Sequence, residues 1–213
     1  DVVIQDNGVM SGHPDFDDVN GSTRFVEHDW YAVTGQSGSM SGSHYGDVGN
    51  HGTHVASTVA GKLYGWAKNA TIYSIRFDSS GGIPDGDEFD LIRLWHQQKS
   101  VDPNTGFKKP TIVNASWGYR WYYPGYNAQG GSVTEVNYRG VDQGTSLSTS
   151  YGNKVGTHNM YGVTAIDAAC EDLTDAGVIY VKAAGNYFHK QDVPSGADYD
   201  NYYKCSSSWG GGQ

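Results

Sequence analysis

Cysteine is almost absent from this 213-residue chain: Cys170 and Cys205 are the only two, enough for one disulfide without requiring it, and neither has a metal-ligand spacing. A small disulfide-built scaffold is thereby excluded, and the chain is long enough to bury a core of its own. Basic residues are also scarce, 14 Lys and Arg against 23 Asp and Glu, giving a net charge of -9. No basic stripe exists to displace counterions, so a nucleic-acid partner is excluded, and the negative balance serves solubility. No run approaches the ~18 apolar residues of a membrane span, so no membrane partner is expected, and no secretory leader precedes the first apolar run. Both ends of the sequence read as trimmed.

What is abundant is glycine, 30 residues, and tyrosine, 16, while the hydrophobic share is 37%. That composition predicts a surface of polar aromatic loops rather than dense charge. It fits a protein working outside the cell, secreted or associated with a virion.

In chain order, residues 2–5 form a short apolar run closed by Asp6-Asn7-Gly8, the pattern of a central strand covered on both faces. Residues 13–49 are irregular, with a possible strand over 23–29 and a Gly/Ser-rich loop from Gly35. Asp15, Asp17 and Asp18 do not follow calcium-loop spacing and read as a solvated loop. Small residues over 51–62 predict a helix that packs closely on a sheet, and 71–77 alternates as a strand. Phe89, Leu91, Ile92 and Trp95 predict a helix over about 85–99, followed by a strand over 111–116. Residues 119–158 show no sustained period and read as an insertion or surface loop with room for a hairpin or a binding surface. Val163, Ile166, Cys170 and Leu173 mark a helix over 161–177 that stops at Gly177, and 178–184 is a last apolar strand. The alternation predicts a single α/β domain over 1–213, three-layered, with a mostly parallel sheet between helices. Ligand chemistry then belongs at the carboxyl ends of the strands, where Asp6, Ser116 and Asn186 fall.

Three strings carry the chemistry. Residues 2–8 with His13-Pro14-Asp15-Phe16 place a carboxylate, Asn50-His51-Gly52-Thr53-His54-Val55-Ala56 an imidazole at a helix start, and Ala183-Ala184-Gly185-Asn186 an amide. In this order they resemble the subtilisin-like serine proteases, the subtilase or peptidase S8 family, over nearly the whole chain apart from 119–158. The resemblance implies Asp6 as the orienting carboxylate, His51 as the general base and Asn186 as the oxyanion donor of an endopeptidase working through an acyl-enzyme. It implies that an extended polypeptide lies between Ser116-Trp117-Gly118 and Ser80-Gly81-Gly82, with Ala184 and Gly185 also in contact.

The family's Gly-Thr-Ser-Met/Leu-Ala-x-Pro helix start does not follow Asn186, so the resemblance places the nucleophilic serine beyond Gln213, the C-terminal part being absent. Gly144-Thr145-Ser146-Leu147-Ser148 imitates that string but precedes Asn186 and lacks the proline and small apolar residues that should follow. Asn7 replaces the usual Thr or Ser, and residues 61–67 are too short for the family's calcium loop. No calcium site is therefore carried over, no cofactor is required, and Asp198 and Asp200 read as solvated acids. His54 reads as a packed or hydrogen-bonded histidine. The sequence string Asn-x-Ser/Thr occurs at Asn20, Asn69 and Asn114, the last on the wall of the expected substrate site and unfit for glycosylation in an active enzyme. A pro-segment, or the remaining C-terminal segment, is the other expected partner. Two other readings compete: an inert subtilase-fold module used for structure or binding, and a metal site on His51 and His54, for which no third ligand or His-Glu-x-x-His string is present.

Overall fold

The structure, a computed structural model, describes residues 1–77, 82–84, 86–118, 132–144, 164–184, 193–197 and 202–206. The chain divides into two compact units, Asp1–Gly118 with Gly162–Ala183, and Tyr119–Tyr161 with Ala184–Gln213.

The first unit is built on a parallel sheet in the order β2-β1-β3-β6, formed by β1 (Val2–Asp6), β2 (Ile72–Arg76), β3 (Ile112–Ala115) and β6 (Ile179–Lys182). β1 is central and buried along its whole length, as its continuous apolar run requires. Because side chains alternate across a strand, its residues divide between two cores. Val3, with Ile75 of β2 and Val113 of β3, packs against α1 (Trp30–Thr34), α3 (Asp87–Gln98) and Leu173 of α4 (Thr164–Asp175). Val2 and Ile4, with Ile72, pack against Val55, Ala56 and Ala60 of α2 (His51–Ala60) and against Phe16 and Phe25. The expected three-layer α/β architecture is thus present, with α2 the one α-helix among the described residues on the second face. On that same face lie Ile112, Ile179 and Val181, beyond the reach of α2 among the described residues.

Element ends follow local chemistry. α4 stops where expected: Gly177 is left-handed (φ +94°), and Val178 N donates to Leu173 O at 3.4 Å while Gly177 N donates to Thr174 O at 2.9 Å. α3 carries Asp87, Glu88 and Asp90 in its first turn, where they meet the positive end of the helix dipole. The strand expected over 23–29 is not formed. Phe25 makes only an isolated parallel bridge to Ile72, after which the Asp29 side chain accepts from Ala32 N at 3.1 Å and starts the short helix α1. A local cap thus wins over the β-propensity of Phe25 and Val26.

In the second unit, β4 (Ser132–Tyr138) pairs antiparallel with β5 (Val141–Asp142) and with β7 (Tyr202–Ser206). Arg139 (φ +51°) and Gly140 (φ +77°) join β4 to β5 by the tight two-residue turn that suits a hairpin. The patternless stretch therefore holds a hairpin, and β7, which the sequence reading did not foresee, is its third strand. Cys170, in the first unit, is a free and partly buried thiol whose neutral form burial favours.

His28 sits within an aromatic cluster, its ring 4.8 Å from that of Tyr73 and 5.6 Å from those of Trp30 and Trp95. Burial, outweighing the opposite effect of a hydrogen bond to the Glu27 backbone and aided slightly by the Lys99 charge, holds its proton affinity below the ordinary histidine value, and burial does the same to His96. The folded state then binds fewer protons than the unfolded chain just below pH ~6.5, so stability falls as pH drops through that range. Thermal unfolding at pH 7.5 and pH 5 should show a Tm loss in the parent that is smaller in His28→Phe. Equal losses in both would remove His28 from the account.

Candidate active site

Asp6 ends the central strand, 3% exposed, and His51 opens α2. They meet because the backbone between them lacks side chains. A Cβ on Gly52 would stand 2.0 Å from the carbonyl oxygen of Gly8 and 3.2 Å from Asp6 Cβ. A Cβ on Gly8 would stand 2.1 Å from the carbonyl oxygen of Gly46, and Gly8 itself has φ +111°. Only glycine fits either position, so α2 can approach β1 to backbone contact.

The result is a two-point contact. His51 Nδ1 lies 2.8 Å from Asp6 Oδ1 and 3.0 Å from Oδ2, and Asn7 N donates to Oδ1 at 2.9 Å. An ionised carboxylate only accepts, so Nδ1 carries a proton, and in the neutral ring Nε2 keeps its lone pair. The His51 side chain is about half exposed (52%), in contrast to its partner.

The start of α2 is held from elsewhere. Asn50 is left-handed (φ +59°) and offers no cap; Asp47 instead accepts from Thr53 N at 2.8 Å and from Gly49 N at 3.1 Å. Burial pushes the Asp47 carboxyl up, and the hydrogen bonds from Thr53, Gly49 and Asn50 outweigh it, leaving it below the ordinary carboxylate value. Asn7, the residue that departs from the family pattern, accepts from Gly52 N at 3.3 Å. Asp47 was missed by the sequence reading; a carboxylate shortly before a helix that lacks a good cap was its only signal.

Of the other expected residues, Ser116, Trp117 and Gly118 follow β3 directly. Ser116 Oγ accepts from Asn114 Nδ2 at 2.8 Å, and the Trp117 ring lies 4.1 Å from that of Phe77, which follows β2. Gly82 is a half-buried bend, and Ala184 is exposed after β6. Ser80, Gly81, Gly185 and Asn186 lie outside the described residues, as do Ser146, Asp198 and Asp200. His54, expected to be packed or hydrogen-bonded, is exposed on α2, so the packed alternative is not realised.

An imidazole whose tautomer is fixed by a buried carboxylate, at the carboxyl edge of a parallel sheet, can take a proton from a hydroxyl and return it to a leaving group. That is the proton-transfer half of a nucleophilic acyl-transfer site. The model of the Subtilase family matches residues 2–208, and the chain belongs to that family.

An extracellular serine proteinase of Thermus sp. (strain Rt41A) is 26% identical over 213 residues, 99% of this chain and 41% of that protein. A cuticle-degrading serine protease of Arthrobotrys oligospora is 36% identical over 81 residues, 38% of this chain and 18% of that protein. The crystal structure of a cold adapted subtilisin-like serine proteinase shares 23% identity with a TM-score of 0.47, covering 87% of this chain and 46% of that one. The chain thus spans less than half the length of these relatives.

The close approach of Gly8 and Gly52 makes a direct prediction. Gly52→Ala must separate α2 from β1, and urea unfolding should show it about 1–3 kcal/mol less stable than the parent, the usual penalty of overpacking. Parent-like stability would mean that the two backbones are not in contact.

Proposed function

We propose that the complete protein is an extracellular serine endopeptidase that cleaves extended polypeptides through an acyl-enzyme. The observation that carries this reading is the Asp6–His51 pair, with contacts at 2.8 and 3.0 Å and Nε2 left free to act. In the proposed cycle a serine hydroxyl attacks the peptide carbonyl carbon and gives its proton to His51 Nε2. Asp6, bonded to Nδ1–H, stabilises the imidazolium; Asn186 donates to the oxygen that becomes negative. His51 then protonates the departing amine, and water, activated by the same nitrogen, hydrolyses the ester.

The nucleophile is contributed by sequence outside these 213 residues, in keeping with the family order in which it follows Asn186. On this reading 1–213 is part of one catalytic domain, 119–158 is an insertion within it, and a pro-segment assists its folding. Ser116, Trp117 and Gly118 form one edge of the substrate cleft, Ser80, Gly81 and Gly82 the other, and Ala184 and Gly185 touch the substrate near Asn186. Work outside the cell follows the Thermus relative, which is named as extracellular.

The test is to treat the complete protein with a fluorophosphonate and to map the labelled peptide by mass spectrometry. The expected label sits on a Gly-Thr-Ser peptide following residue 213. A label on Ser146 would overturn the order proposed here, and no label on folded protein would point to an inert module. His51→Ala should lower kcat by about 10²–10⁴-fold, the share that general acid–base catalysis contributes.

Specificity should follow Trp117, because its indole, packed at a tilt against Phe77, belongs to one of the two proposed substrate edges. Trp117→Leu should raise kcat/KM for substrates with large apolar side chains by about tenfold relative to small ones. A peptide library cleaved identically by both proteins would remove Trp117 from the pocket.

A further inference from the structure

Arg76 is a charged side chain with no part in the site just described, yet it is only 1% exposed. It ends β2 and pairs in register with Asp6, the last residue of β1. Side chains of registered residues in a parallel sheet leave on the same face, so the guanidinium emerges beside the carboxylate that orients His51, on the face covered by α2.

What it holds is the segment that leads into that helix. Arg76 Nη1 donates to Ser43 O at 3.1 Å and to Ser43 Oγ at 2.9 Å, and Arg76 N donates to His44 Nε2 at 3.2 Å. His44 is itself 1% exposed, and because its Nε2 accepts, its ring proton resides on Nδ1. Three residues on, the segment reaches neighbours of both members of the dyad, Gly8 near Asp6 and Thr53 near His51. The Gly46 carbonyl abuts Gly8, just after Asp6, and Gly8 is also the residue over which the Arg76 stem passes, a Cβ there standing 3.4 Å from Arg76 Cδ. Asp47 then ties the first turn of α2 through Thr53 N at 2.8 Å. One end of a short strap is thus fastened to the strand beside Asp6, and the other to the helix that carries His51.

We propose that Arg76 and His44 are positioning residues for proton transfer: they fix the 43–47 segment, and through it the separation of His51 from Asp6. The proposal rests on the reading of His51 as the general base, but its geometry is open to measurement without turnover. Neither residue touches the reacting atoms; both act through Gly46, Gly8 and Asp47. A salt bridge or hydrogen bond that served stability alone would change the melting temperature and leave the dyad as it was.

The test uses the complete protein, ¹⁵N-labelled at histidine, with the Nδ1–H signal of His51 as the first readout and kcat against KM as the second. Arg76→Met keeps the apolar stem and removes the guanidinium. In that variant the strongly downfield signal of an Nδ1–H bonded to a carboxylate should move towards that of free imidazole. kcat should fall by about a hundredfold, the loss expected of a misplacement near 1 Å. KM should change by less than about twofold, since the proposed role concerns the separation of His51 from Asp6 and not the binding of substrate. Arg76→Lys should restore part of the signal.

His44→Gln, which retains an acceptor, should resemble the parent, whereas His44→Leu should resemble Arg76→Met. Should Arg76→Met fail to fold, the two His44 variants decide, and equal His51 signals in both would overturn the proposal. A parent-like His51 signal and kcat in folded Arg76→Met would overturn it as well. If the complete protein proves inactive, the endopeptidase reading fails, while the His51 signal still decides the positioning role.

Discussion

The structure around the site depends on one close approach, the contact of the Gly52 backbone with the carbonyl of Gly8. Everything chemical follows from it: with no Cβ on either side, the N-terminus of α2 can come down onto the end of β1, and a histidine at its first position reaches a carboxylate at the last position of the strand. The small residues further along α2 serve the same end. Ala56 and Ala60, both fully buried, keep the helix axis close to Val2, Ile4 and Ile72 over its length, so the approach at Gly52 is the end of a shallow interface rather than a local pinch. Bulk anywhere on that face would lift His51 away from Asp6.

The parts legible in the sequence are those written in local pattern. The apolar run of β1, the small-residue face of α2, the 3.6-residue period of α3 and the glycine stop of α4 each depend on neighbours within a turn or two, and each element lies where the pattern put it. Asp6 and His51 were legible as a pair for a further reason, since each stands near a glycine in a short string of fixed pattern, and those glycines are what let the two meet. What escaped was set by contacts distant in sequence. Residues 23–29 have strand composition, but a single bridge to Ile72 and the cap at Asp29 decided their fate. The burial of Arg76 is invisible in a strand pattern, because its partners Ser43 and His44 lie more than thirty residues earlier in a loop without periodicity.

The face of the sheet opposite α2 shows how the central strand is kept in place. Gln5, completely buried, donates from Nε2 to Glu88 Oε1 at 3.2 Å and accepts at Oε1 from the Tyr180 hydroxyl at 2.8 Å. Glu88 in turn accepts from Gly86 N at 2.7 Å at the start of α3. A buried polar chain of this kind adds little net stability, since each group has given up water. Its effect is on specificity of arrangement. It joins β1 to α3 and β6 in one register, and Gln5 is the residue immediately before Asp6, so the register of the carboxylate is fixed from beneath while α2 fixes it from above.

The pairing itself holds the two elements together. Asp6 is almost wholly removed from water, where its hydrogen bonds with Asn7 N and His51 Nδ1 act through a low effective dielectric and are stronger than on the surface. A carboxylate so placed is costly without partners, so the bond from His51 fastens the first turn of α2 to the end of β1 at the point where Gly52 and Gly8 let the two backbones meet.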